Sequence, residues 1–419
     1  MKKRKIGDFG RVLIKYASSQ VVSNFLRMFA GFLVVRVVDP ETFGTFSGVG
    51  VFLGYVLLGH GGVINGLSRE LPYELGKGND GYAKDLASST FALTSLISAF
   101  AALIFLTFSI YHFSTGNETL AIIFLSYVIM GAVHLFNKQF LPVLYRTNKD
   151  FNSLSRQNIL IGIGNIISVV FVWQWGLWGL CIRGVVMAIY ESILLYRSKP
   201  YTLYWQLNFE HYKKLFRSGI PIYMVGYVNP LWATVLNNMI FSLGGAVSFG
   251  YYALANIVQG AVGVIPTSFS QVIYPRMAIM YGEGKTIPFI IKANIKPLIF
   301  QFGVLLMVGI VGAAALPYVI PLLLPKYVTG VQAAQWMMFV PVAQSLGALG
   351  NLYNVVKRQR LYFVSLLTGS IIGTAYILMC YYLYGFSLLI FPQGLILGKI
   401  TQQILAVALL RSLYNRDVK

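Results

Sequence analysis

The sequence predicts an all-α polytopic membrane protein: about 12 transmembrane helices in two pseudo-twofold six-helix lobes, with both termini cytoplasmic. Three observations carry this. Of 419 residues, 57% are hydrophobic and 11% charged, whereas a soluble domain carries about 25% charged residues. Apolar runs long enough to cross a ~30 Å hydrocarbon core recur along the whole chain. The basic residues between them fall on alternate loops, as the positive-inside rule requires.

The first run, 12–37, follows "MKKRK". It is expected to stay as a helix, because it is too long for a leader, contains Lys15 and Arg27, and lacks a small-residue cleavage pattern. Runs at 44–66, 88–112, 119–143, 157–174 and 177–196 complete a first half. Runs at 218–242, 246–271, 297–324, 331–355, 361–384 and 388–410 make a second. "WQWGLW" divides 157–174 from 177–196 as an aromatic interfacial turn.

With the N-terminus inside, Lys326 is the only cation on an outer loop. Lys15, Arg27, Arg36, Lys138, Arg183 and Lys399 fall within runs. The rest of the 33 Lys and Arg lie on inner segments, from Lys2, Lys3, Arg4, Lys5 and Arg11 through Lys149 and Lys357 to Arg411, Arg416 and Lys419. The net charge of +20 therefore reads as membrane topology and contact with anionic lipid, and no nucleic-acid partner is expected. The outer loops ("STGNE", "SLGGAVS", "LPKYVTG", "YLYGFS") are too short for a folded domain.

Cys181 and Cys380 fall in runs and suggest no disulfide framework. The four histidines form no ligand spacing. No metal and no cofactor is expected.

The inner loop near 197–217 divides the chain. The expected domains are an N-terminal lobe at 1–200, a cytoplasmic inter-lobe loop at 201–216 and a C-terminal lobe at 217–419. The halves echo one another: "FGTF" at 43–46 matches "FGYY" at 249–252, and Arg69 matches Arg276. Six helices per half imply a parallel repeat about an axis along the membrane normal. Pro230, Pro266, Pro341 and Pro392 remove backbone hydrogen bonds within runs.

A charge at bilayer depth costs at least ~2.5–3.5 kcal/mol on insertion scales, so each buried cation needs a reason. Arg27 stands mid-run on a stripe of Tyr16, Gln20, Ser23, Asn24 and Gly31, spaced as one helical face. Lys399 is central in the last run, with Gln402 and Gln403 on its face. Lys15, Lys138, Arg36 and Arg183 lie nearer the run ends, where snorkelling is an alternative. Only one acid, Glu191, is clearly within a run, near its inner end. The deep cations therefore face a hydrated cavity, lean on carbonyls and rings such as Phe25 and Phe29, or await an anionic ligand. Deep amides (Asn65, Asn165, Asn237, Asn238, Asn256, Gln259, Gln344, Asn351) either hydrogen-bond between helices or offer partners to a polar ligand.

"VVDPETFGTFSG" (37–48), "NGLSRELPYELGKGND" (65–80), "LYRTNKDFNSLSRQN" (144–158), "KKLFRSGIPI" (213–222), "SFGYYALANIVQG" (248–260), "VIPTSFSQVIYPRMAIMYGEGK" (264–285) and "LPYVIPLLLPKYVTG" (316–330) fall in order over most of the chain. They resemble the polysaccharide-specific transport family, the O-antigen and exopolysaccharide repeat-unit flippases of the multidrug/oligosaccharidyl-lipid/polysaccharide exporter superfamily. The resemblance implies a two-lobed transporter of the bacterial cytoplasmic (inner) membrane, and no enzyme. It would turn an undecaprenyl-pyrophosphate-linked oligosaccharide (an O-antigen, capsule or exopolysaccharide unit of polysaccharide or lipopolysaccharide biosynthesis) from the inner to the outer leaflet. Glycan polymerase and glycosyltransferases of the same pathway are the implied protein partners.

On that reading the lobes alternate around a cationic cavity. Arg27, Lys399, Lys15, Lys138 and Arg183 bind the pyrophosphate, and Gln20, Asn24, Asn237, Asn256, Gln259 and Gln402 bind polar groups of the head. The family carries no set of catalytic residues to match. Besides a non-transporting membrane assembly factor, which would not need two polar-striped halves, two alternatives remain open. One is a cation-coupled multidrug exporter of the same superfamily, which would want intramembrane carboxylates. The other is a membrane glycan polymerase or ligase, which would want a sizeable outer loop, whereas Asp39, Glu41 and Glu118 are the only outer acids.

Overall fold

A computed structural model describes residues 2–417 except 149 and 357. Side chains are described over 15–410, apart from positions 17, 149, 268, 271, 272, 275, 278, 279, 282, 348 and 357. The basic side chains of both tails, and Lys149 and Lys357, expected on inner loops, lie outside that set.

Every element among the described residues is helical. In order they are α1 Lys2–Val37, α2 Pro40–Gly50, α3 Phe52–Val56, α4 Val63–Gly76, α5 Asp80–Ser114 and α6 Glu118–Leu135. A π-helical turn Phe136–Phe140 leads into α7 Leu141–Thr147, α8 Phe151–Ile167 and α9 Val169–Arg197. There follow α10 Phe209–Gly282, α11 Ile287–Leu323, α12 Val331–Met337, α13 Val340–Ala343, a 3₁₀ turn Ser345–Leu349, α14 Gly350–Val355, α15 Gln359–Tyr384 and α16 Ile390–Asp417. Among the described residues, eight helical stretches are long and apolar enough to cross a membrane, which makes the chain a multi-pass integral membrane protein.

The breaks have local causes. In α9 the break expected at "WQWGLW" falls on Gly176, with φ 53°. Gly245 interrupts α10 with φ 74° and ψ 178°, a conformation that favours glycine. Two runs that hydropathy reads as continuous are broken. Residues 44–66 are split by a non-helical segment that ends in Gly61 and Gly62 at φ 54° and 99°. Backbone groups released there find side chains: Gln139 donates to the Leu57 carbonyl (3.2 Å) and Tyr223 to that of Leu58 (2.9 Å). Such compensation is what allows irregular backbone at membrane depth. Residues 331–355 are likewise divided into α12, α13, the 3₁₀ turn and α14.

The chain forms two compact units, Met1–Val38 with Thr45–Met224, and Asp39–Gly44 with Val225–Lys419. In the first, α1 packs on α8, α5 on α6 and α4, and α6 on α9. Leu67, Leu71, Leu86, Phe140, Leu144 and Tyr145 centre its core. In the second, α15 packs on α16, and α11 on α12 and on the 3₁₀ turn Pro325–Gly330 that precedes it. Met277, Ile290, Leu298, Leu352, Tyr353 and Leu410 centre that core. The α15–α16 contact is set by Gly369 and Gly373 on one helix and Gly394 and Gly398 on the other. A Cβ at Gly398 would lie 2.6 Å from the Gly369 carbonyl. Small residues four apart let two membrane helices approach this closely.

Each unit carries the same device at the end of an irregular helix. Tyr145 is fully buried and donates to the Leu195 carbonyl (2.7 Å). Tyr353 is fully buried and donates to the Ala406 carbonyl (2.5 Å). The π-turn Phe136–Phe140 precedes the first and the 3₁₀ turn Ser345–Leu349 the second. Within the second unit, a Cβ at Gly44 would strike the Ala246 carbonyl, and one at Gly250 the Pro40 carbonyl, a reciprocal contact.

Candidate functional site

The second unit holds an open cavity of about 430 Å³ against Lys399. Lys399 is 4% exposed. Its Nζ donates to Oδ1 of Asn229 (2.7 Å) and lies 5.4 Å from the centroid of the Trp232 ring. Gln402, one turn on, donates to the same Asn229 oxygen (3.1 Å), to the Leu366 carbonyl (3.0 Å) and to Ser370 (3.2 Å). Asn229 comes from α10, directly before Pro230. Trp232 is fixed by donating Nε1–H to Thr374 (2.9 Å).

No carboxylate pairs with Lys399 among the described residues. Its partners are a neutral amide oxygen and a ring face, which orient the ammonium without cancelling it. The rest of the lining is neutral and polar. Asn351 donates to Ser270 (2.7 Å), and Tyr274, Gln344 and Gln403 border the same space. Such a pocket accepts an anion and offers both donors and acceptors to hydroxyls.

The first unit places its cations differently. Lys138, on the π-turn, pairs with Glu191 of α9 at 2.8 Å. This corrects one expectation: Lys138 is not an unpaired cation awaiting a ligand, because Glu191 holds it. The pair forms because the π-turn advances the register by one residue and aims 138 at α9. Asn137 of that turn bonds α9 too, donating to the Ala188 carbonyl (3.1 Å) and accepting from Ser192 (3.0 Å). Glu191 stands four residues before Leu195 as Gln402 stands four before Ala406. At the corresponding place the second unit carries an amide where the first carries an acid.

Arg183 donates to Ser168 (3.1 Å) and Asn165 (3.3 Å). It satisfies groups at the α8–α9 junction, and Asn165 is thereby an interhelical partner. Arg27 has a buried Nε without a hydrogen-bond partner, and no carboxylate pairs with it among the described residues. The stripe around it divides. Ser23 is buried against Gly162 of α8, so the expected single polar face is in part a packing seam. Gln20 donates to Tyr16 (2.9 Å). Asn24 and Lys15 are exposed. Phe25 and Phe29 are exposed as well. Asn256 donates to Asn237 (3.5 Å), and Gln259 is half-buried.

Of the residues expected to hold the head group, Lys399 and Gln402 come together in the polar cavity. Asn229, Ser270 and Tyr274 of its lining were not among them. The one available signal was a polar residue immediately before an in-run proline at 229–230.

A family model described as "Polysaccharide biosynthesis protein" matches residues 10–280. The chain belongs to this family. The match agrees with the polysaccharide-transport resemblance of its motifs. No curated protein sequence matches the chain. Among solved structures, this polysaccharide biosynthesis family member is similar to an inward-facing multidrug resistance MATE family transporter of the MOP superfamily. The TM-score is 0.71 at 13% identity, over 94% of this chain and 95% of that one. An outward-facing MATE family transporter of the MOP superfamily gives 0.66 at 14% identity, over 97% and 96%. A MOP superfamily transporter from Pyrococcus furiosus Vc1 gives 0.61 at 13% identity, over 97% and 96%. The family member thus has the MATE-like fold.

Proposed function

We propose that the chain is a flippase that carries an undecaprenyl-pyrophosphate-linked oligosaccharide from the inner to the outer leaflet of a bacterial cytoplasmic membrane. The observation that carries the reading is Lys399, a buried cation held by neutral partners beside a polar cavity, in a family of polysaccharide biosynthesis proteins. A diphosphate supplies the missing negative charge, and amides and hydroxyls supply partners for sugar. Arg27, whose Nε is buried and unbonded, is the first unit's candidate for anion binding.

Twelve crossings fit the chain. The eight candidate spans are joined by the arm of α10 beyond Gly245, by α8, and by the interrupted stretches α2–α4 and α12–α14. The charge pattern then puts both termini in the cytoplasm. Alternating access supplies exposure to each side in turn, and neighbours of this fold have been solved facing inward and outward. The Pyrococcus furiosus neighbour is described by a reverse polarity of its binding pocket that suggests a different function. The deep cations of this chain suit that kind of pocket better than one for cationic drugs. A cation-coupled exporter would use a membrane carboxylate, and Glu191 is occupied by Lys138.

The test is complementation in a strain lacking the native copy. Lys399→Ala and Arg27→Ala are each expected to reduce surface glycan while the protein remains in the membrane. Wild-type glycan in both would overturn the anion-binding reading.

A further inference from the structure

A second cavity lies on the other side of Gln403. It is apolar, about 870 Å³, and bounded by Leu298 and Phe302 of α11, Leu346 of the 3₁₀ turn, and Ile404 and Val407 of α16. Ile299, Phe302, Ile400, Ile404 and Val407 are exposed, so the groove opens on the surface of the second unit. Gln403 borders this groove and the Lys399 cavity alike.

Residues 342–347 of the interrupted run 331–355 border both. Residues three apart share a face in a 3₁₀ turn as in an α-helix. Gln344 and Gly347 therefore face the polar cavity together, while Val342, Ala343, Ser345 and Leu346 face the groove. Gly347 lies next to Gln403: a Cβ there would make ordinary contact with its amide nitrogen at 3.6 Å. A cation-bearing polar pocket beside an open apolar groove is the outline of one amphiphile.

We infer that the second unit binds a polyprenyl diphosphate at this junction, with the diphosphate against Lys399 and the chain along the α11–α16 groove. The inference rests on the lipid-linked substrate proposed above and adds where its chain lies. Charge complementarity selects an anionic head: Lys399 has no carboxylate partner among the described residues. At ~30 Å³ per water-sized group the groove holds roughly 30 such groups, room for several isoprene units. Gln403, between the two, is the residue that the head-to-chain junction would touch.

The experiment is photolabelling of the full chain in phosphatidylcholine nanodiscs. The probes are polyprenyl diphosphate and polyprenol, each with a diazirine on the chain, and inorganic diphosphate serves as competitor. The diphosphate probe is expected to label peptides containing 298–302 and 400–408, about tenfold more than the alcohol. Ile404→Trp and, separately, Ala408→Phe fill the groove and should cut this labelling about tenfold at unchanged melting temperature. Lys399→Gln should remove the preference for diphosphate while alcohol labelling persists. Equal labelling by both probes in the wild type would show bulk lipid only and overturn the inference. So would labelling confined to other helices, or labelling that both groove-filling variants leave intact. Groove labelling without transport would keep the inference and overturn the flippase reading. Transport with labelling elsewhere would do the reverse.

Discussion

The Nζ of Lys399 lies 2.7 Å from Oδ1 of Asn229, which also accepts from Gln402 at 3.1 Å. One amide oxygen thus holds a cation and a second amide in place across 170 residues of sequence. Replacing Asn229 with Leu leaves a buried ammonium short of its hydrogen bond and frees one Gln402 contact. The expected cost is about 3 kcal/mol, read as a lower melting temperature in detergent. Asn229→Asp should do the opposite to stability, because a carboxylate pairs with Lys399. It should also reduce glycan export, because the pair no longer attracts an anion. A variant both more stable and fully active would contradict the role given to the unpaired charge.

The α15–α16 seam sets where Lys399 stands. A Cβ at Gly398 would lie 2.6 Å from the Gly369 carbonyl and press on the Trp232 ring. Gly398→Ala is expected to destabilise by about 1–3 kcal/mol and to raise quenching of Trp232 fluorescence as the ring loosens. Gly260 is the matching control: a Cβ there meets open space, and alanine should be tolerated. Equal melting temperatures for the two alanine variants would show that the seam yields without cost.

Much of this organisation is legible in the sequence, and the omissions have physical causes. Apolar runs and alternate basic loops report transfer free energy and topology, which are summed over segments. Gly176 within "WQWGLW" announces its own break through its neighbours. The breaks at 57–62 and 338–349 do not, because hydropathy is blind to which backbone hydrogen bonds are made. The Lys138–Glu191 pair joins residues 53 apart and depends on a π-turn that no periodicity marks. Lys399 and Gln402 stand out as polar residues in an apolar helix. Asn229 is found only when its helix is seen against theirs.

Lys138 and Glu191 form a partly exposed pair, so its contribution is best measured as a coupling. A double-mutant cycle with Lys138→Met and Glu191→Leu is expected to give about 1–2 kcal/mol. Either single change should destabilise more than the double. Additive losses would mean that the pair is incidental.

Near the end of α4 in the first unit, hydrogen bonds from Asn79 (3.0 Å) and Lys214 (2.9 Å) hold the Glu74 carboxyl below the usual carboxylate range. A carboxyl lowered on folding contributes stability that is present above its unfolded value, about 4.3. That stability is lost as pH falls through the lower folded value. Acid melting should therefore loosen the α4–α10 contact, and Glu74→Gln should flatten the stability profile in that window. An unchanged profile would show that these bonds contribute nothing.

The central claim is that this chain moves a sugar-bearing polyprenyl diphosphate across a bilayer. The direct measurement is a proteoliposome assay with a fluorescent lipid-linked oligosaccharide, scored by accessibility to an external quencher. Wild type should bring the inner-leaflet fraction to the outside, and Lys399→Gln should slow this at least about tenfold. Translocation no faster than in protein-free liposomes, or equal rates in wild type and Lys399→Gln, would contradict the account.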